Sequence, residues 1–153
     1  VFAVNKLDAI EQDTEAGLNR FIGELVRMGK KVVLVVDNPT LKDPRRCMSR
    51  RMDLENLRLV TQVDASLKGC AISMSEHARS AQRYTALLER LRDKHPGDVV
   101  LFDLPPRLCD QASGTCSHHL AGQPMYSYTD HISNEASRLV SPALNRLIRS
   151  QMH

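Results

Sequence analysis

The sequence predicts an α/β fold built on a parallel sheet, because the same unit occurs twice along the chain. An amphipathic helix over Asp13–Met28 ends at Gly29 and is followed at once by an aliphatic strand, Lys31–Val36. A second helix, beginning after Ser73, is followed in the same way by the strand Asp98–Asp103. Helix, short turn and aliphatic strand in repetition are typical of a parallel sheet with helices on its faces.

The first helix–strand unit is predicted from the spacing of its apolar residues. Its helix carries apolar residues three and four positions apart, which is the period of one helical face; Asp13 or Thr14 can cap its start. The strand contains Val32–Val36, a continuous aliphatic run that favours burial on both faces. Asp37-Asn38-Pro39 then ends the strand.

The second unit and the C-terminus follow from capping and turn residues. Ser73-Met74-Ser75-Glu76 has the pattern of a capping box and predicts a helix to about Lys94. Leu104–Leu120 reads as a loop or short hairpin, with a turn at Ala121-Gly122. A last helix is predicted over Ser133–Ile148, with Ser133 as N-cap and Pro142 as a point where the helix kinks or restarts.

Length and composition fit a single domain over residues 1–153. Apolar residues make up 42% and charged residues 25% of the chain, with a net charge of +3. No apolar run reaches the roughly 20 residues that span a bilayer. The cluster Arg45, Arg46, Arg50 and Arg51 is either a solvated loop or a polyanion site, and the scarcity of aromatic residues argues against nucleic acid. The first residue is Val1, which suggests a piece of a longer gene product.

The four cysteines allow two interpretations. Cys109 and Cys116 bracket a turn-like stretch, so we pair them with each other and pair Cys47 with Cys70. The alternative is four reduced thiols in a cytosolic protein, and composition alone does not separate the two. If the disulfides form, the compartment is oxidising.

One segment concentrates residues that could do chemistry. In an open α/β sheet, ligands bind beyond the carboxyl ends of the strands, which makes Asn38 a candidate pocket residue. Farther on, Tyr126–Ser133 places two tyrosines, Asp130 and His131 directly before the last helix. The positive end of that helix disfavours an imidazolium, so His131 would stay neutral as a general base requires. The simpler interpretation is that Asp130 and His131 only precede the helix.

A family resemblance adds to this interpretation. The ordered set GKKVVLVVDNPTL, Cys47, C-x-I-S from Cys70, HPGDVVLFDLPPRLCD and GQPMYSYTDHIS resembles the C-terminal SGNH domain fused to acyltransferase-3 membrane proteins. No single piece is specific, but the order of strand, four cysteines and His-bearing loop is. The resemblance covers about Leu18–Ile148.

The resemblance implies a three-layer α/β/α sandwich of the SGNH-hydrolase, flavodoxin-like type, here incomplete and forming the C-terminal part of the domain. It implies a periplasmic domain of an inner-membrane protein that transfers an acyl group, usually acetyl, to a cell-surface polysaccharide. The acyl donor would come from the membrane acyltransferase domain of the same polypeptide. Catalysis would need no cofactor and no metal. His131 matches the family's catalytic histidine, and the nucleophilic serine would lie upstream of Val1, so Ser73, Ser127 and Ser133 are not assigned that role.

The chain departs from the family at the catalytic acid. The family's D-x-x-H pattern has Asp three residues before His, where this chain has Tyr128. Three explanations stay open: Asp130 reaches His131 through a tight turn, a Ser–His dyad works with a backbone carbonyl that orients the ring, or activity is weakened. Tyr128, as an orienting or pocket residue, could offer only a neutral hydroxyl. A triad acid fixes the imidazole tautomer and stabilises the imidazolium, which a tyrosine does less well.

Three other functions remain as alternatives: a carbohydrate esterase, an SGNH-like module that binds a glycan or a partner without chemistry, and an unrelated Rossmann-like cytosolic domain. His118 and His119 are neighbours in a predicted hairpin, so we expect their side chains on opposite sides and no shared metal site.

Overall fold

The computed structural model describes residues 2–41, 47, 70–127 and 131–151. These residues form two compact units, each described by itself. Unit 1 comprises Val1–Val36, Ala81–Asp103 and Leu144–His153, and unit 2 comprises Asp37–Ser80 and Leu104–Ala143. The elements in chain order are α1 (Phe2–Arg27), β1 (Val32–Val36), β2 (Ala71–Ser73), α2 (Met74–Lys94), β3 (Val99–Asp103), α3 (Pro105–Leu108), β4 (Thr115–Ser117), β5 (His119–Leu120), β6 (Gln123–Pro124) and α4 (Asn134–Ser150).

In unit 1, β1 and β3 pair in parallel. The register runs from Val32 opposite Val99 to Val36 opposite Asp103. Both strands lie where the aliphatic runs predicted them, each starting one residue later. Helices alternating with parallel strands make this an α/β fold, as the sequence predicted.

The core of unit 1 is aliphatic. Ile22 of α1, Leu87 and Leu91 of α2 and Val99 of β3 form a buried cluster. The expectation that β1 is buried on both faces is wrong, because Val35 is 41% exposed. Within the described residues β1 has one strand neighbour, β3, and the side chain of Val35 is not covered as it would be inside a wider, two-sided sheet.

Helix α1 is longer than predicted. It begins at Phe2 rather than near Asp13, so the proposed cap at Asp13 or Thr14 is wrong. Phe2–Gln12 contains neither Gly nor Pro and has nothing to stop a helix. At the other end the prediction is confirmed: Gly29 takes a φ of +72°, and the backbone N–H groups of Gly29 and Lys30 donate to the carbonyls of Val26 and Leu25, which is a Schellman cap.

In unit 2, the predicted cap of α2 is present. The backbone N–H of Glu76 donates to the Ser73 hydroxyl at 3.0 Å, so Ser73 is the N-cap directly before Met74. Strand β2 pairs antiparallel with β4, with Ile72 opposite Cys116. The predicted turn at Ala121-Gly122 joins β5 to β6, and both turn residues have positive φ, 49° and 77°, as a two-residue hairpin requires.

A chain of backbone hydrogen bonds runs across unit 2. The N–H of His118 donates to Cys70, the N–H of Met125 to His118, and the N–H of Ser133 to Met125, over distances of 2.7–3.0 Å. Four separate segments are therefore held side by side, and the last of them leads into α4.

Helix α4 begins at Asn134, one residue after the predicted cap. The Ser133 hydroxyl accepts the N–H of Ala136 at 3.0 Å and donates to the carbonyl of Pro124. Pro142 lies inside the helix without ending it, so the alternative of a restart at Pro142 is wrong. Pro142 costs one backbone hydrogen bond, but the flanking turns keep α4 as one element.

The arginine cluster at positions 45, 46, 50 and 51 lies outside the described residues. So does Asp53–Leu59, for which the sequence predicts a short helix. Among the helices that the structure describes, none is long and apolar enough to cross a membrane.

Candidate active site

His131 lies in unit 2, two residues before the cap of α4. Its side chain is exposed. Its backbone is fixed, because its carbonyl accepts the N–H of Ser127 at 2.9 Å and Tyr126 forms a β-bridge with Ile132. A histidine held by its backbone with an exposed ring suits a group that must meet a substrate.

The loop after β1 lies in the same unit and is tied to Tyr126. The phenolic O–H of Tyr126 donates to the carbonyl of Pro39 at 2.7 Å. Asn38, the candidate pocket residue, also hydrogen-bonds to the phenol through its side chain. The structure thus brings Asn38 into one hydrogen-bonded group with Tyr126, which lies seven residues before Ser133, the N-cap of α4.

Tyr126 is a buried residue whose role the sequence pattern did not single out. It is 1% exposed. Burial is the main cause that raises its pKa, the charge of Asp37 raises it further, and the bond from Asn38 acts in the opposite direction. The phenol therefore stays protonated and acts as a hydrogen-bond donor, and its sequence signal is its place in the tyrosine pair that precedes Asp130 and His131.

Two other predicted site residues, Tyr128 and Asp130, lie outside the described residues. The three explanations for the missing family acid therefore stay open: Asp130 as the partner of His131, a backbone carbonyl that orients the ring, or weakened activity. The structure does fix both sides of this segment, at Ser127 and His131.

The cysteines form two bonded pairs, Cys47 with Cys70 and Cys109 with Cys116. These are the pairs drawn from the sequence. Their Cα atoms are 5.4 and 4.1 Å apart. Cys70 is hydrogen-bonded through its carbonyl to His118, so the first pair connects directly to the backbone chain that ends at Ser133.

His118 and His119 do not face opposite sides, contrary to expectation. Their ring centroids are 4.7 Å apart and their Nδ1 atoms 3.3 Å apart. The reason is that β4 ends at Ser117 and β5 starts at His119, so the chain does not continue through His118 as one regular strand. Burial, followed by the charge of His119, lowers the pKa of His118.

This histidine pair does not assemble into a fuller metal centre within the part of the chain that the structure describes. No group of three or more His, Cys, Asp or Glu side chains that could hold a metal ion occurs there. The buried Nε2 of His118 has no hydrogen-bond partner, whereas a metal-bound histidine ordinarily donates its second nitrogen to a neighbour.

Three serines that were not assigned as the nucleophile are engaged in structural bonds. The hydroxyl of Ser133 caps α4, and the hydroxyl of Ser73 caps α2. The hydroxyl of Ser127 donates to the backbone carbonyl of His131 at 3.4 Å. Each of these three hydroxyls is thus bonded to a backbone group.

A surface groove in unit 1 has a different character. It is lined by Glu11, Gln12, Glu15, Arg83 and Arg90. Its charges pair across the helices, with Glu11 bound by Arg83 and Arg90 and Glu15 bound by Lys94 and Arg90. The hydrogen bonds from Arg83 and then Arg90 lower the pKa of Glu11, and those from Lys94 and then Arg90 lower the pKa of Glu15. The groove is an ion-pair network between α1 and α2 rather than a set of groups poised for chemistry.

A family comparison covers nearly the whole chain. The model of the SGNH domain fused to AT3 domains matches residues 3–146. The chain belongs to this SGNH family. A search of curated proteins and a search of solved structures returned no match.

Membership identifies the chain coarsely as a hydrolase-like module associated with AT3 acyltransferases, as the sequence resemblance implied. The fusion named in the family description makes an AT3 membrane domain its partner. The match includes Asn38, Tyr126, the four cysteines and His131, so the hydrogen-bonded region of unit 2 lies entirely inside the SGNH domain.

Proposed function

We propose that the SGNH domain supplies the general base of a periplasmic acyltransferase, with His131 as that base. The observation that carries the proposal is the setting of His131: an exposed ring on a backbone fixed at Ser127 and leading into the buried cap Ser133. A general base needs a fixed position and access to the proton that it removes.

The reaction begins with a serine from outside residues 1–153. His131 takes the proton of the serine hydroxyl while its oxygen attacks the acyl carbonyl of the donor. The bond from the acyl carbon to the donor's leaving group breaks, and the imidazolium returns its proton to that group. The product of this half is an acyl ester on the serine.

In the second half, a sugar hydroxyl of a cell-surface polysaccharide takes the place of the serine. His131 removes the proton of that hydroxyl, the sugar oxygen attacks the acyl ester, and the serine oxygen leaves with the proton from the imidazolium. Acetyl is the acyl group we propose. Water in place of the sugar would make the same site a carbohydrate esterase.

Three observations support this assignment. The engaged hydroxyls of Ser73, Ser127 and Ser133 favour a nucleophile from another part of the polypeptide. The two cysteine pairs suit an oxidising compartment such as the periplasm. The parallel pair β1–β3 is compatible with the three-layer sandwich that we propose for the complete domain.

The proposal is tested in the full-length protein with p-nitrophenyl acetate as acyl donor. We expect His131→Ala to abolish both turnover of this ester and acylation of the acceptor polysaccharide. His95→Gln is the matched control, because His95 lies in unit 1 and its bond to Asn19 can be kept by an amide. Parental activity of His131→Ala would remove His131 from the mechanism.

A module that binds a glycan or a partner without chemistry is the second candidate. Tyr128 in place of the family's Asp favours it, since a triad needs an acid. In that case the parental protein shows no turnover, and glycan binding, measured by calorimetry, is unchanged by His131→Ala.

A further inference from the structure

Tyr126 joins two loops of unit 2 through different parts of the residue. Its side chain reaches the loop after β1, where its hydroxyl donates to the carbonyl of Pro39 and is bonded by Asn38. Its backbone pairs with Ile132, the neighbour of His131. The residue is fully enclosed, with 1% of its surface exposed.

The hydroxyl is the specific part of this connection. A phenylalanine would fill the same buried space but would lack the O–H that donates to the Pro39 carbonyl at 2.7 Å and the oxygen that the Asn38 side chain bonds. Buried polar groups are ordinarily paired, because a buried group that loses its partner has no bond to water to replace it. A tyrosine is therefore needed here for the position of the loop rather than for filling the core.

The backbone on both sides of Tyr126 is hydrogen-bonded to the backbone of the segment that contains His131. Ser127 donates to the carbonyl of His131, and Met125 accepts the N–H of Ser133. A movement of Tyr126 relative to Pro39 must therefore move His131 relative to Asn38. Side chains that share a reaction must be held to a fraction of an ångström, and misplacement by about 1 Å can cost on the order of 100-fold in rate.

From this geometry we infer that Tyr126 is a positioning residue: its hydroxyl sets the place of His131 relative to the Asn38 loop. The inference rests on the proposed function, because it assigns to Tyr126 a role in acyl transfer through His131. Tyr126 itself exchanges no proton with substrate.

The test compares two tyrosine-to-phenylalanine variants in the full-length protein with p-nitrophenyl acetate. Tyr126→Phe removes the hydroxyl that bonds Pro39, and Tyr84→Phe removes a hydroxyl that donates to the carbonyl of Val35 in unit 1. We expect Tyr126→Phe to lower kcat roughly 10- to 100-fold with KM unchanged, and Tyr84→Phe to keep the parental kcat.

Thermal unfolding separates positioning from a merely structural role. If Tyr126 acts only on stability, Tyr126→Phe unfolds at a lower temperature but keeps the parental kcat per folded molecule well below that temperature. That result would overturn the inference. Asn38→Ala removes the second bond to the same phenol at a half-buried position, and we expect it to lower kcat to a smaller extent. A parental kcat in this variant, with or without a raised KM, would count against the inference.

His131→Ala in the same series distinguishes the two levels of the argument. If His131→Ala is inactive and Tyr126→Phe is parental, the positioning role is wrong and the proposed function stands. If His131→Ala keeps parental turnover, the proposed function and the role assigned to Tyr126 fall together.

Discussion

At the scale of single residues, hydrogen bonds rather than sequence spacing decide what each side chain does. The residue pattern in Tyr126–Ser133 identified His131 as a candidate base. Ser133 was predicted as the helix N-cap from its residue type. Tyr126 could not be assigned in this way, because its partner Pro39 lies 87 residues away along the chain. Long-range contacts of this kind depend on the tertiary fold and leave no local pattern.

Substitutions of Tyr128 and of Asp130 can identify which group acts as the acid partner of His131. We expect Asp130→Asn to lower kcat more than Tyr128→Phe, because a carboxylate stabilises the imidazolium and a neutral phenol does so only weakly. Loss of a triad carboxylate costs up to about 10⁴-fold. Turnover of p-nitrophenyl acetate measures both; near-parental rates in both variants would favour a backbone carbonyl as the orienting group.

His118 should make stability depend on pH. Burial and the neighbouring His119 lower the pKa of His118 in the folded state, whereas the unfolded residue has a pKa of about 6.5. Below that value the unfolded state binds more protons than the folded state, so stability is lost as pH falls.

We expect the midpoint of thermal unfolding to fall between pH 7.5 and pH 5.5, and to fall less in His118→Gln, which does not titrate. His77→Gln serves as control because His77 is also buried but lies in α2. An equal fall in the parental protein and His118→Gln would show that His118 does not carry the effect.

At the scale of elements, periodicity and capping residues predicted β1, β3, α2, the C-terminal end of α1 and, to one residue, the start of α4, but not β2 or α3. Ser73 and Gly29 gave correct boundaries because each acts on the backbone directly next to it. The start of α1 was wrong because Asp13 and Thr14 are cap formers that a helix can also contain. The bend at His118 was missed because it depends on the partners of two short strands.

The cap of α4 should contribute measurably to stability. Ser133→Ala removes the acceptor of the Ala136 N–H and the donor to the Pro124 carbonyl, so we expect a loss of about 1–3 kcal/mol in the free energy of unfolding. Ser137→Ala, whose hydroxyl bonds within the same helix end, should cost less. Denaturant unfolding provides the comparison, and equal losses would show that Ser133 is not a special cap.

At the scale of the whole molecule, the α/β class and the parallel pairing followed from two aliphatic strands that alternate with amphipathic helices. The number of strands in the sheet could not be predicted from the two aliphatic runs. The exposed Val35 on β1 shows why. An aliphatic run indicates that a strand prefers to be buried, but it does not indicate which segment of the chain covers it.

The cysteine pairs give a whole-molecule prediction. Peptide mapping without reductant should recover Cys47 linked to Cys70 and Cys109 linked to Cys116. Replacing Cys47 and Cys70 by serine should lower stability by about 3 kcal/mol, from the entropy of a loop of this length. Four thiols that react after denaturation without reductant would contradict both the pairs and the periplasmic assignment.

The central claim is that His131 activates a serine that lies outside residues 1–153, and trapping the acyl-enzyme tests it most directly. The full-length protein is treated briefly with p-nitrophenyl acetate, quenched in acid and mapped by peptide mass spectrometry. We predict an acetyl ester on one serine beyond this chain, and its absence from His131→Ala. An ester on Ser73, Ser127 or Ser133, or undiminished labelling in His131→Ala, would contradict the account.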